Sequence, residues 1–79
     1  MKDLLSYIVG HLVENPGEAR IETGENESGE QLLKLTVAPD DMGRVIGRNG
    51  RTARAIRQLL RAAAGSEGSR VNLEIVEQE

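Results

Sequence analysis

Near the middle of the chain, the run Val45-Ile46-Gly47-Arg48-Asn49-Gly50-Arg51 sets a four-residue turn with glycine at both ends between two stretches of helical apolar spacing. Glycine tolerates positive φ and has no Cβ, so the chain can reverse tightly there and another backbone can approach the turn's amides. The sequence therefore fixes a helix, a turn and a second helix at its centre. Upstream, Asp40 or Asp41 can accept hydrogen bonds from the free amides of a following turn, which predicts a short helix over Asp41 to Ile46 carrying Met42, Val45 and Ile46 inward. Gly47 would end it. Downstream, a helix from Arg51 to Ala64 would turn Ile56, Leu59, Leu60 and Ala63 to one side and Arg51, Arg54, Arg57 and Arg61 to the other.

The flanking segments alternate between two periodicities. Leu4, Leu5, Ile8, Val9, Leu12 and Val13 recur at helical spacing, with Asp3 placed to cap the start and Asn15-Pro16-Gly17 to force an end. Ala19, Ile21 and Thr23 then alternate with polar residues as in a short edge strand. After the turn-rich Gly24 to Gly29, Leu33, Leu35 and Val37 alternate with Leu32, Lys34 and Thr36, which predicts a hairpin. A loop over Gly65 to Ser69 precedes a last strand in which Val71, Leu73 and Ile75 face one way. The expected order is α-β-β-α-α-β in an α+β fold. With 79 residues, no Phe or Trp and one tyrosine, the core must be aliphatic, and the length suits one small domain. Tyr7 is expected in the core or at an interface.

The net charge of −3 speaks against a nucleic-acid binder only when the chain is averaged. Six of the ten basic residues, Arg44, Arg48, Arg51, Arg54, Arg57 and Arg61, fall between Met42 and Arg61, where no acid occurs; the remainder carries four basic residues against thirteen acids. One segment is thus +6 and everything else is 4 − 13 = −9. Ordinary solvated helix faces mix both signs, so a row of arginines without an acid points to a polyanion. The turn strengthens that reading. The following helix offers free amides and the positive end of its dipole, Arg48 and Arg51 add charge, and Val45 and Ile46 are candidates for the apolar floor of a groove that takes bases.

Other chemistries find no residues to carry them. Zero cysteines and a single histidine, His11, exclude a disulfide framework, a zinc finger and a multi-histidine metal site. Asp40 and Asp41 lack the further oxygen ligands that a magnesium site needs. No phosphate-binding P-loop, dinucleotide fingerprint or nucleophile–base pair can be assembled, so neither an enzyme nor a cofactor or small-molecule substrate is expected. No apolar run approaches the roughly 20 residues that span a bilayer, and the first residues lack a signal-peptide pattern, so a cytoplasmic protein is expected.

At Gly47-Arg48-Asn49-Gly50 the sequence resembles the KH domain, whose glycine-x-x-glycine loop clamps about four nucleotides. The KH pattern of an aliphatic pair, the loop, and two spaced aliphatics is met by Val45-Ile46 and Ile56, with Ala53 in place of the first later aliphatic. The element order looks like the bacterial, type II arrangement. Both the length and the stretch from Asp40 to Ala64 look like the small stand-alone bacterial KH proteins of the KhpA family. That resemblance implies a single KH domain over residues 1–79, with helices on one face of a three-stranded mixed sheet in which two strands run parallel.

The resemblance further implies a protein of post-transcriptional regulation or an RNA chaperone that binds single-stranded RNA with little sequence selectivity. It would pair with itself or with a second, larger KH protein. The residues assigned to RNA are Gly47, Arg48, Asn49 and Gly50, with Arg44, Arg51 and Arg54 on phosphates and Val45 and Ile46 as groove floor. The near absence of aromatics disfavours modules that stack bases on aromatic platforms. Two rival readings remain at this level: an assembly module with weak RNA binding, and a helix-turn-helix DNA reader using the Arg51 to Ala64 helix. For assembly, the candidate surface is the area around Ala62 and Ala63.

Overall fold

The computed structural model describes residues 1–66 and 68–79. Its elements are α1 (Lys2–Gly10), β1 (Arg20–Glu25), β2 (Gln31–Val37), α2 (Met42–Ile46), α3 (Arg51–Ser66) and β3 (Val71–Glu77), with short 3-10 turns at Pro16–Glu18, Pro39–Asp41 and Arg48–Gly50. The three strands form one sheet in the order β1-β2-β3. β1 runs antiparallel to β2, with Ile21 opposite Leu35, and β2 runs parallel to β3, with Leu33 opposite Leu73. A parallel neighbour requires a crossover of a dozen or more residues, and α2 and α3 supply it. The α-β-β-α-α-β order is that expected from the periodicities, and the mixed sheet is that implied by the KH resemblance.

The strand alternation decides which face is covered. Leu33, Leu35 and Val37 of β2 and Val71 and Leu73 of β3 are buried against Leu5 and Val9 of α1, Val45 of α2 and Ile56, Leu60 and Ala64 of α3. Lys34, Glu22 and Glu74 stand in register on the opposite, open face, where their charges stay in water. The helices therefore lie on one face of the sheet. β1 is an edge strand, as its short and charged alternation suggests, with β3 at the other edge; Ile21 is half-buried but Thr23 is exposed.

Several local details differ from the sequence reading. Asp3 lies in the first turn of α1 and makes no capping hydrogen bond, because Met1 holds the cap position; its charge acts on the helix dipole instead. α1 stops at Gly10, before Asn15-Pro16, and His11, Leu12 and Val13 fold back to donate to the carbonyls of Ile8 and Val9. In α3 the buried positions are Ala53, Ile56, Leu60 and Ala64, while Leu59 is 55% exposed and Ala63 only half-buried. The stripe facing the sheet is rotated toward Ala53 and Ala64, small side chains that let the helix lie close. Tyr7 is 68% exposed and rests against the His11 ring, so the core contains no aromatic residue. α3 continues to Ser66 rather than Ala64; of the loop expected over Gly65 to Ser69, Glu67 lies outside the described residues.

Candidate nucleic-acid interface

The central corner is built from the inside. Val45 is completely buried in the core and anchors the end of α2; Ile46 beside it is half-buried. Gly47 ends α2 with φ 76° and ψ 171°, and its amide donates to Gly43 O at 2.9 Å. The chain then makes one 3-10 turn, in which Gly50 N donates to Gly47 O at 3.1 Å, and enters α3 at Arg51. Three of the four turn residues have positive φ: Gly47, Asn49 at 57° and Gly50 at 74°. Asn is among the few side chains that adopt this region readily, so the sequence Gly-x-Asn-Gly matches the conformation residue by residue.

Gly47 has a second constraint. A Cβ there would lie 2.8 Å from the Cβ and 2.9 Å from the amide nitrogen of Thr52, distances that no side chain tolerates. At Gly50 a Cβ would meet only the Arg54 guanidinium, at an ordinary contact distance of 3.5 Å, so that glycine is required by φ alone. Thr52, which sequence reasoning did not single out, thus packs directly beneath the turn. Its only sequence signal was a small β-branched residue within the arginine run.

Around this corner Arg48, Asn49, Arg51 and Arg54 are all exposed. Within the turn the Gly47 and Gly50 amides are bonded to carbonyls, while those of Arg48 and Asn49 have no backbone acceptor among the described residues and can face a ligand. Among the described residues Arg44 is the only arginine in an ion pair: its guanidinium meets Glu14 Oε1 at 2.5 Å and Asp41 Oδ1 at 3.3 Å. Arg44 thus links α2 to the α1–β1 connection, whereas Arg48, Arg51 and Arg54 pair with no acid among the described residues. Arg57 is half-buried and donates from Nε to the Leu73 carbonyl of β3 at 3.4 Å. The corner gathers most of the residues that sequence reasoning named, with Val45 withdrawn into the core and Arg44 tied to acids.

Asp41 has a different task from the one its position suggested. Its carboxylate is buried and caps no amide of the following helix; it accepts from Glu14 N and Asn15 N at 3.0 Å each and from Asn15 Nδ2 at 3.1 Å. These partners lie upstream, in the connection that leaves α1. The Glu14 amide above all holds its carboxyl below the usual carboxylate range, against the opposing effect of burial, with Asn15 and the Arg44 charge acting in the same direction.

A sequence profile of the KhpA/KhpB KH domain matches residues 2–75, nearly the whole of the described fold. The chain belongs to the KhpA/KhpB family of KH domains. It is 47% identical over 78 residues to the RNA-binding protein KhpA of Clostridium acetobutylicum, covering 96% of this chain and 100% of that one. It is 44% identical to the KhpA of Halalkalibacterium halodurans, over 98% of this chain and 100% of that one. The KhpA of Streptomyces coelicolor is 41% identical, over 92% and 90% of the two chains. Within the KH fold, Gly47 to Gly50 is the glycine-x-x-glycine loop, and Ala53 in the aliphatic pattern is a core position of α3, 3% exposed. Among the described residues, no helix is long and apolar enough to cross a membrane.

Proposed function

We propose that this protein binds single-stranded RNA with little sequence selectivity, without catalysing a reaction, and that residues 1–79 work as one KH unit in the cytoplasm, in post-transcriptional regulation or as an RNA chaperone. The observation that carries the reading is the corner itself: a turn of three positive-φ residues whose exposed Arg48 and Asn49 have no backbone acceptor for their amides among the described residues, entering a helix whose first arginines have no acidic partner among those residues. Such a corner holds a phosphodiester through its amides and through Arg48, Arg51 and Arg54, while half-buried Ile46 offers an apolar surface to a neighbouring base. Val45 supports this surface from beneath. The names of the relatives, RNA-binding proteins, support the same reading. A helix-turn-helix DNA mode is less suited, because Arg57 ties the arginine flank of α3 to the β3 edge and keeps the helix from standing free for a major groove.

The test is a titration of labelled single-stranded RNA by fluorescence anisotropy with the parent and with Arg48→Asp/Asn49→Asp. Two carboxylates where the phosphate sits replace attraction by repulsion. One charge-assisted contact contributes about 1.5–3 kcal/mol, so affinity should fall at least roughly tenfold. The circular dichroism spectrum should not change. A double variant that binds like the parent, or a parent that prefers duplex DNA, overturns the reading.

The same reading includes a second KH chain as partner, which adds a second loop and hence avidity. Leu59, at 55% exposure, lies on the flank of α3 that also carries Ala62 and Ala63 and enlarges the apolar surface expected there. Sedimentation equilibrium should show a dimer at micromolar concentration that Leu59→Asp dissociates; a monomeric parent rejects self-pairing.

A further inference from the structure

Arg61 and Arg70 come from different elements, the last third of α3 and the residue before β3, yet line one shallow depression of about 230 Å3 together with Glu30, Ser69 and Val71. Both arginines are exposed, and Val71, 7% exposed, closes the floor. Arg54, Arg57 and Arg61 follow one another at spacings of three and four residues and so share one flank of α3. Ala55, Leu59 and Ala62 on the other flank carry no charge. The row of guanidiniums that starts at the glycine turn therefore runs the length of the helix and ends at this depression. Among the described residues Glu30 is the single acid on its rim, and its Oε1 already accepts from Asn26 Nδ2 at 3.0 Å. Two cations against one engaged carboxylate leave the depression net positive, and the Ser69 hydroxyl adds a donor.

We infer that Arg61 and Arg70 form a second phosphate-binding station, and that RNA leaving the glycine turn follows the arginine flank of α3 to reach it. The inference rests on the RNA-binding reading above. Ten residues separate Arg51 from Arg61, about 15 Å of helix at about 1.5 Å per residue. A stacked strand rises about 3.4 Å per nucleotide, so this distance adds about four nucleotides when stacked and fewer when extended. The footprint then becomes about six to eight nucleotides, against about four for the loop alone.

The experiment compares labelled oligouridines of four and eight nucleotides, binding the parent chain and Arg61→Gln/Arg70→Gln. A four-nucleotide site finds roughly five registers on an eight-nucleotide strand, so a gain of about fivefold is purely statistical. The parent should bind the octamer on the order of tenfold more tightly beyond that factor, as two further exposed arginine–phosphate contacts supply. The variant should lose this excess, keep the parent's affinity for the tetramer, and flatten the octamer's log K against log salt slope by about 1.4, from about 0.7 per phosphate. Melting curves that coincide establish that the substitutions leave the fold intact. A parent that binds the tetramer but gains only the statistical factor, or a variant that keeps the excess, overturns the second station and leaves the loop reading in place. A parent that binds neither oligomer overturns both.

Discussion

Gly47 and Thr52 are locked face to face: a single carbon added to Gly47 would stand 2.8 Å from the Thr52 Cβ and 2.9 Å from its amide nitrogen. The first glycine of the turn is thereby set by the start of α3 as well as by its own φ of 76°. The shape presented to a phosphate is fixed by a contact inside the protein, before any ligand arrives.

That contact separates two glycines which look alike in sequence. Gly50→Ala meets only the unfavourable φ of 74° and should destabilise the fold by about 1–2 kcal/mol. Gly47→Ala adds an overpacked contact with Thr52 backbone and should cost more, about 3 kcal/mol in total. Thr52→Ala should not rescue it, since the Cβ and the amide remain. Urea unfolding of the three variants measures the order.

The ion pairs divide the arginines around the corner. With Arg44 held by Glu14 and Asp41, three arginines remain for phosphates near the loop, Arg48, Arg51 and Arg54. For a tetranucleotide, log K against log salt should therefore slope at about −2, at about −0.7 per neutralised phosphate. Arg48→Gln should reduce that slope by about 0.7, and Arg44→Gln should leave it unchanged. Anisotropy titrations across a salt series decide between them.

Asp41 makes stability depend on acid. Its carboxyl titrates lower in the folded chain than in the unfolded one, so its contribution is fully present above the unfolded value of about 3.9 and is lost as the pH falls through the folded value. Thermal melts from pH 7 down to pH 2 should show Asp41→Asn losing stability at neutral pH and flattening the decline below about pH 4. Asp40→Asn, at an exposed position, should do neither.

Adjacent leucines in α3 should respond in opposite ways. Leu60 is 1% exposed and its replacement by alanine should cost about 2–5 kcal/mol. Leu59, 55% exposed, should lose about 0.5 kcal/mol or less in the same test on the monomer. Equal losses in chemical denaturation would contradict the observed rotation of the helix.

Much of this protein is decided along the chain. The change from helical to strand periodicity gives the element order, Gly47 and Gly50 give the corner, and the acid-free run from Met42 to Arg61 gives its charge. Each of these is a local property, set by backbone preference, side-chain alternation or composition within a few residues. Tertiary packing decided the rest. The rotation of α3 that buries Ala53 and Ala64 and exposes Leu59 depends on how closely the helix lies on the sheet, which period alone does not specify. The partners of Asp41 lie 26 and 27 residues away, and those of Arg44 include Glu14, 30 residues away, so local sequence pointed Asp41 to the amides of the following turn and gave no sign of Glu14 beside Arg44. Arg70, outside the basic run, lines one depression with Arg61 because pairing with β2, where Gln31 N donates to Arg70 O, sets the start of β3 beside the last turns of α3. Spacing along the chain sets which residues share one element; side chains from separate elements meet only where burial of the aliphatic core brings those elements together.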